Sequence, residues 1–157
     1  MRGALVVSIG FVLQALGIVT FQWGLLSTLI SFVGLVAVPV LLYMVPKRYF
    51  DTRVSGPIPY LSAAAFTFWT FILSLIVAAL VYYMAYYYVL YYTEMPMLLK
   101  ESMEQIAALV NDKQAAKEMM DGFSQMTPKS MTLSTCSTFF FLGTIYVYFI
   151  AIFLRRK

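Results

Sequence analysis

From Leu61 to Tyr92 the chain carries no charged side chain, reading AAAFTFWTFILSLIVAAL in its first half and VYYMAYYYVLYY in its second. No other feature restricts the fold as much. A helix apolar on every face needs a bilayer or the core of a large protein to cover it, and 157 residues are too few for the second. With its flanks, from Pro59 to Glu94, the stretch holds roughly 35 residues, which extend about 50 Å as helix against a hydrocarbon core about 30 Å thick. The helix therefore tilts strongly or emerges.

The tyrosines mark the end that emerges. Tyr82, Tyr83, Tyr86, Tyr87, Tyr88, Tyr91 and Tyr92 fall on successive turns, and at about 100° per residue they circle the helix rather than form one stripe. Such a collar suits a headgroup region, where the ring faces lipid and the hydroxyl reaches water. The plain reading is an interfacial belt continued by a protruding helix. The functional reading makes Tyr82, Tyr83, Tyr86 and Tyr87 a contact surface for a lipid or sugar headgroup.

The whole composition agrees with a membrane protein: 62% of residues are hydrophobic and 11% charged. The net charge of +4 does not point to nucleic acid, because the basic residues sit beside apolar runs, where they set orientation. The chain has no histidine and a single cysteine, Cys136. A disulfide within the chain, a zinc site of the usual ligands and Ser-His or Cys-His catalysis are thereby excluded. No Gly-rich phosphate loop of either common type occurs. We expect no catalytic, cofactor or metal site in this chain.

Two earlier apolar runs, 3–21 and 25–45, are separated only by Gln22, Trp23 and Gly24. Without a polar cleavage region the first is not a secretory signal, and the pair reads as a tight transmembrane hairpin with Trp23 at the interface and Gly24 in the turn. Gln14 is the strongest polar feature of the first run. Its amide needs a partner in hydrocarbon, so it should hydrogen-bond to another helix, or else mark a lipid or partner contact. Ser27, Ser31 and Gly34, at steps of four and three, put small residues on one side of the second run, for close packing inside the bundle or against another copy. Pro39 is placed to kink that helix and Pro46 to end it. The following loop holds Lys47, Arg48 and Arg53 against Asp51, which makes it cytoplasmic.

Residues 94–129 hold six acids against four lysines and read as an extracytoplasmic helical insertion. Leu99, Met103, Ile106 and Val110 form an apolar stripe on a short helix starting near Pro96. Asn111 or Asp112 could cap a second short helix through Ala115, Ala116, Met119 and Met120, stopped by Gly122. The pair either caps the bundle or offers a docking face, with Met103, Ile106 and Met119 as contacts. Glu101 and Glu104 lie three apart on one face and read as solvated acids. Thr127 and Pro128 are an N-cap and first helical residue. The last span, 134–154, opens with Ser134, Thr135, Cys136, Ser137 and Thr138 as small packing residues and ends at Arg155, Arg156 and Lys157. Four spans, about 3–21, 25–45, 61–88 and 134–154, then leave both termini cytoplasmic.

The basic loop KRYFDTRVSG, the run PIPYLSAAAFTFWTFILSLIVAAL, the exit YYMAYYYVLYYTEMP, the helical acidic segment and the last span GTIYVYFIAIFLRRK resemble the four-span domain-of-unknown-function proteins common in Bacteroidota. The resemblance covers nearly the whole chain and implies a bacterial inner-membrane protein, an accessory subunit of envelope or lipid-linked sugar enzymes. It carries over no functional residue.

The expectation is thus an all-α membrane protein, a four-transmembrane-helix bundle with long third and fourth helices and a small extracytoplasmic insertion. Its expected role is that of a non-enzymatic membrane subunit, packing with itself or with a larger inner-membrane complex. The alternative is binding or transport of a lipid or small molecule on the polar and tyrosine-rich faces. Membrane lipids and a protein partner or second copy are the expected partners, and nucleic acid is not.

Overall fold

The computed structural model describes residues 2–109 and 126–155, together with 114, 117, 118, 121 and 122. Its helices are α1 (Arg2–Val19), α2 (Leu25–Arg53), α3 (Tyr60–Tyr92), α4 (Met95–Leu109) and α5 (Pro128–Leu154). All but α4 are long and apolar enough to cross a bilayer. Among the described residues there is no strand, only short connections. The second short helix expected after Asn111 falls largely outside the described residues, as do Val110 and Met119.

Two local signals act as expected. Gly24 takes a φ of +54° where the chain turns from α1 to α2, a conformation open to glycine at little cost. Thr127 caps α5: its Oγ1 accepts from the Ser130 N–H at 3.1 Å, and Ser130 Oγ accepts from the Thr127 N–H at 3.0 Å. Pro128 follows at the first helical position, where its missing N–H costs nothing.

Pro46, in contrast, does not end α2. The helix runs through both Pro39 and Pro46 to Arg53, so the basic segment 47–53 is helix rather than loop. Tertiary packing overrides the local rule. Pro46 is buried, Phe50 is buried beside it, and Tyr49 and Phe50 set their rings 4.5 and 5.3 Å from Phe66 of α3. Each such ring pair contributes about 0.5–1.5 kcal/mol beyond the apolar area it covers. Together with the apolar area they bury, they offset much of the roughly 3 kcal/mol that an interior proline costs.

α1 lies between α2 and α3, and more of it is buried than of any other spanning helix. Gly10, Gln14 and Gly17 face α2, and Ala4, Phe11 and Ala15 face α3. The α1–α2 contact is antiparallel and close. A Cβ on Gly34 would stand 2.6 Å from the backbone nitrogen of Gln14 and 2.7 Å from the Gly10 carbonyl oxygen. Lower along the same seam, Ser27 Oγ donates to the Gly17 carbonyl at 2.6 Å. The small residues at 27, 31 and 34 thus pack inside the chain, a choice the sequence leaves open.

α3 runs parallel to α1 and antiparallel to α5. Its inner face is a seam of small residues, Ala63, Thr67, Thr70, Ser74, Ala78 and Ala85, at steps of three and four and multiples of them. Ser74 Oγ donates to the Ala4 carbonyl at 3.0 Å, and the Phe71 ring lies where any side chain at Gly143 of α5 would go. α2 meets α3 and α5 near the end that carries the chain termini. Towards the other end α2 and α5 part.

Gly34→Ala tests the tight crossing. The added methyl meets backbone on two sides, so overpacking of about 1–3 kcal/mol should exceed the roughly 1 kcal/mol of helix propensity that alanine gains. Unfolding in a graded detergent mixture should show a clear loss of stability. A Cβ at Gly122, also helical, meets nothing within 4 Å, so Gly122→Ala should cost nothing and gain up to about 1 kcal/mol.

Candidate functional site

Where α2 and α5 part, a groove of about 400 Å³ opens, floored by α1 and α3. Gln14 and Tyr82 form its inner wall, Phe32 and Leu35 line it from α2, and Thr135 and Phe139 line it from α5. Its position follows from the seams. Gly34 leaves room for the stem of Gln14, because a Cβ there would stand 2.7 Å from Gln14 Cγ. The amide is thereby carried past α2 towards α3.

There it meets Tyr82, whose hydroxyl donates to Gln14 Oε1 at 2.6 Å. Gln14 is 7% exposed and Tyr82 1%. The Tyr82 ring stacks on Phe139 at 5.9 Å and meets the edge of Phe11 at 6.5 Å, so α1 and α5 hold it between them. Oε1 is satisfied, but Gln14 Nε2 is fully buried and has no hydrogen-bond partner among the described residues. Two N–H donors are left in an apolar setting behind the groove wall. A buried unmatched donor costs about 1–3 kcal/mol.

The tyrosine collar is therefore not a uniform ring. Tyr82 faces inward and is the largest fully buried side chain. Tyr86 is half-buried and pairs its hydroxyl with Thr135 Oγ1 at 2.8 Å, at the groove's α5 rim. Tyr83 and Tyr87 are exposed on another face and stack on each other at 6.4 Å. Tyr87 and Tyr88 continue the stacking to Tyr91 and Tyr92. These outer rings fit the interfacial belt, while Tyr82 belongs to the core.

Of the residues singled out in the sequence, Gln14, Tyr82 and Tyr86 come together and Tyr83 and Tyr87 stand apart. Ile106 is exposed on α4, away from the groove. The side chain of Met103 and all of Met119 lie outside the described residues. Thr135, expected as a packing residue, and Phe139, which no sequence feature singles out, both line the groove. A signal for the inward turn of Tyr82 did exist: it stands four residues after Ala78 and three before Ala85, in register with the small-residue seam.

None of the side chains lining the groove carries a charge. Among the described residues no three His, Cys, Asp or Glu side chains gather as metal ligands would. What the groove presents is an almost wholly apolar, partly aromatic wall, with the Gln14 amide buried directly behind it.

A family model of proteins of unknown function, DUF4199, matches residues 3–156. The chain belongs to this family. An uncharacterised family is also what the sequence resembles. No curated protein and no solved structure matches the chain.

The Gln14–Tyr82 pair can be measured by a double-mutant cycle. With Gln14→Leu, Tyr82→Phe and the double variant unfolded in detergent, the coupling should lie between about 0.6 and 1.7 kcal/mol, the average and the maximum for hydrogen bonds between membrane helices. A coupling indistinguishable from zero would mean that the two side chains do not hold each other.

Proposed function

We propose that this chain is a non-enzymatic integral membrane protein that binds a membrane amphiphile in the groove between α2 and α5. The observation that carries the reading is the buried, unpartnered Nε2 of Gln14 at the wall of an apolar groove. Its natural complement is an uncharged acceptor, the carbonyl of an acyl ester or amide. Depth favours the same chemistry. Gln14 stands five residues from the end of α1 at Val19, about 8 Å along the helix, which is close to the level where acyl chains begin.

The proposed setting is a bacterial inner membrane with both termini cytoplasmic. Arg2, Lys47, Arg48, Arg53 and Arg155 lie at the end of the bundle with the termini, as the positive-inside rule requires of a cytoplasmic face. A second reading, an accessory subunit of a larger assembly or a homo-oligomer, is favoured by α4, which leaves Met97, Leu98 and Ile106 exposed.

Mass measurement of the intact protein released from mild detergent tests the binding reading. One lipid-sized ligand should stay with the parent chain. Gln14→Leu should weaken its retention about tenfold, a change of about 1.4 kcal/mol. Leu35→Trp, which fills the groove without touching the amide, should do the same. A bare parent chain, or a ligand kept equally by both variants, rejects the groove as a binding site. A partner chain lost on the same substitutions would assign the groove to an accessory-subunit interface instead.

A further inference from the structure

A second cavity, of about 580 Å³, lies between α1 and α2 at the end of the bundle that carries the termini. It is distinct from the groove. Arg2 stands about 18 Å along α1 from Gln14.

The cavity is built by the close start of the hairpin. A Cβ on Gly3 would stand 2.6 Å from Val45 Cγ1, so the first turn of α1 presses against α2 at that level. Arg2 precedes this contact by one residue, and Arg48 follows Val45 by three, on the same helix face. Both arginines line the cavity. No lining residue is acidic, and neither guanidinium meets a carboxylate among the described residues. The inner walls are apolar, made by Val6, Leu41 and Met44. Tyr49 borders the opening with its ring stacked on Phe66 at 4.5 Å and an interplanar angle of 14°.

Two like charges brought to one concavity with no acid in its lining repel each other there, and an anion between them reverses the sign of the interaction. Guanidinium favours phosphate, whose oxygens match its forked N–H groups. Level and shape say which phosphate. Arg48 stands about 35 Å along α2 from Leu25, just past the reach of a 30 Å hydrocarbon core. The apolar walls run from the arginines back into that core.

We propose that this cavity binds an anionic phospholipid, with the phosphate between Arg2 and Arg48 and one acyl chain along Val6, Leu41 and Met44. A free phosphate would satisfy the arginines and leave the apolar wall unused.

The test uses the full chain, stripped of lipid in a non-ionic detergent and titrated with phosphatidylglycerol, phosphatidylcholine or inorganic phosphate, with bound mass as the readout. Phosphatidylglycerol should bind about tenfold more tightly than phosphatidylcholine, and Arg2→Gln or Arg48→Gln should remove most of that preference. Met44→Trp, which keeps both charges and fills the wall, should weaken both lipids. Lys129→Gln, a charge change at the far end, should alter neither. Equal binding of the two lipids, or a preference that survives the double arginine substitution, overturns the proposal. So does full displacement of the lipid by excess inorganic phosphate, which would make this an ion site.

Discussion

The hydrogen bond from Tyr82 to Gln14 is the interaction around which the helices are arranged. Hydrocarbon supplies no donor or acceptor of its own, so a primary amide placed there dictates what must stand beside it. Gln14 reaches Tyr82 only because Gly34 lets α2 lie against its stem. Tyr82 reaches Gln14 only because it takes a position in a seam otherwise built from alanine, serine and threonine. One bond therefore fixes the rotation of both α1 and α3. Phe11 and Phe139 then close on the ring from either side, and α5 is drawn to α3 at the same level.

Much of this is written locally in the chain. Four uncharged runs announce four helices because the cost of a charge in hydrocarbon leaves few other readings. The Thr127–Pro128 pair announces the start of α5 because capping is settled within one turn. Gln14 announces that it needs a partner, although not which one, since that depends on how helices far apart in sequence rotate against each other. Pro46 misleads for the same reason. Its cost is local and visible, whereas the rings of Tyr49, Phe50 and Phe66 that offset it meet only in the folded chain.

The tyrosine collar teaches a subtler point. Spread around the helix by angle, its members look equivalent, and most of them do occupy an outer, interfacial position. Register against the neighbouring small residues separates Tyr82 from the rest. The groove itself could not be read from the sequence, because it is a gap between α2 and α5, and no residue pattern in either helix encodes a failure to touch. Its unsatisfied amide is visible only once Oε1 has been assigned its partner.

That gap lies between two helices long and apolar enough to cross a bilayer. On the proposed reading, whatever enters it comes from a medium in which acyl chains are the solvent. Such a site is never empty in the sense that a water-filled pocket is empty, and the useful quantity is the exchange of one amphiphile for another rather than capture from dilute solution. Selection then rests on the difference between two similar occupants, and a single amide offering its N–H to one class of carbonyl is enough to bias it. A weak site in absolute terms would still be a discriminating one.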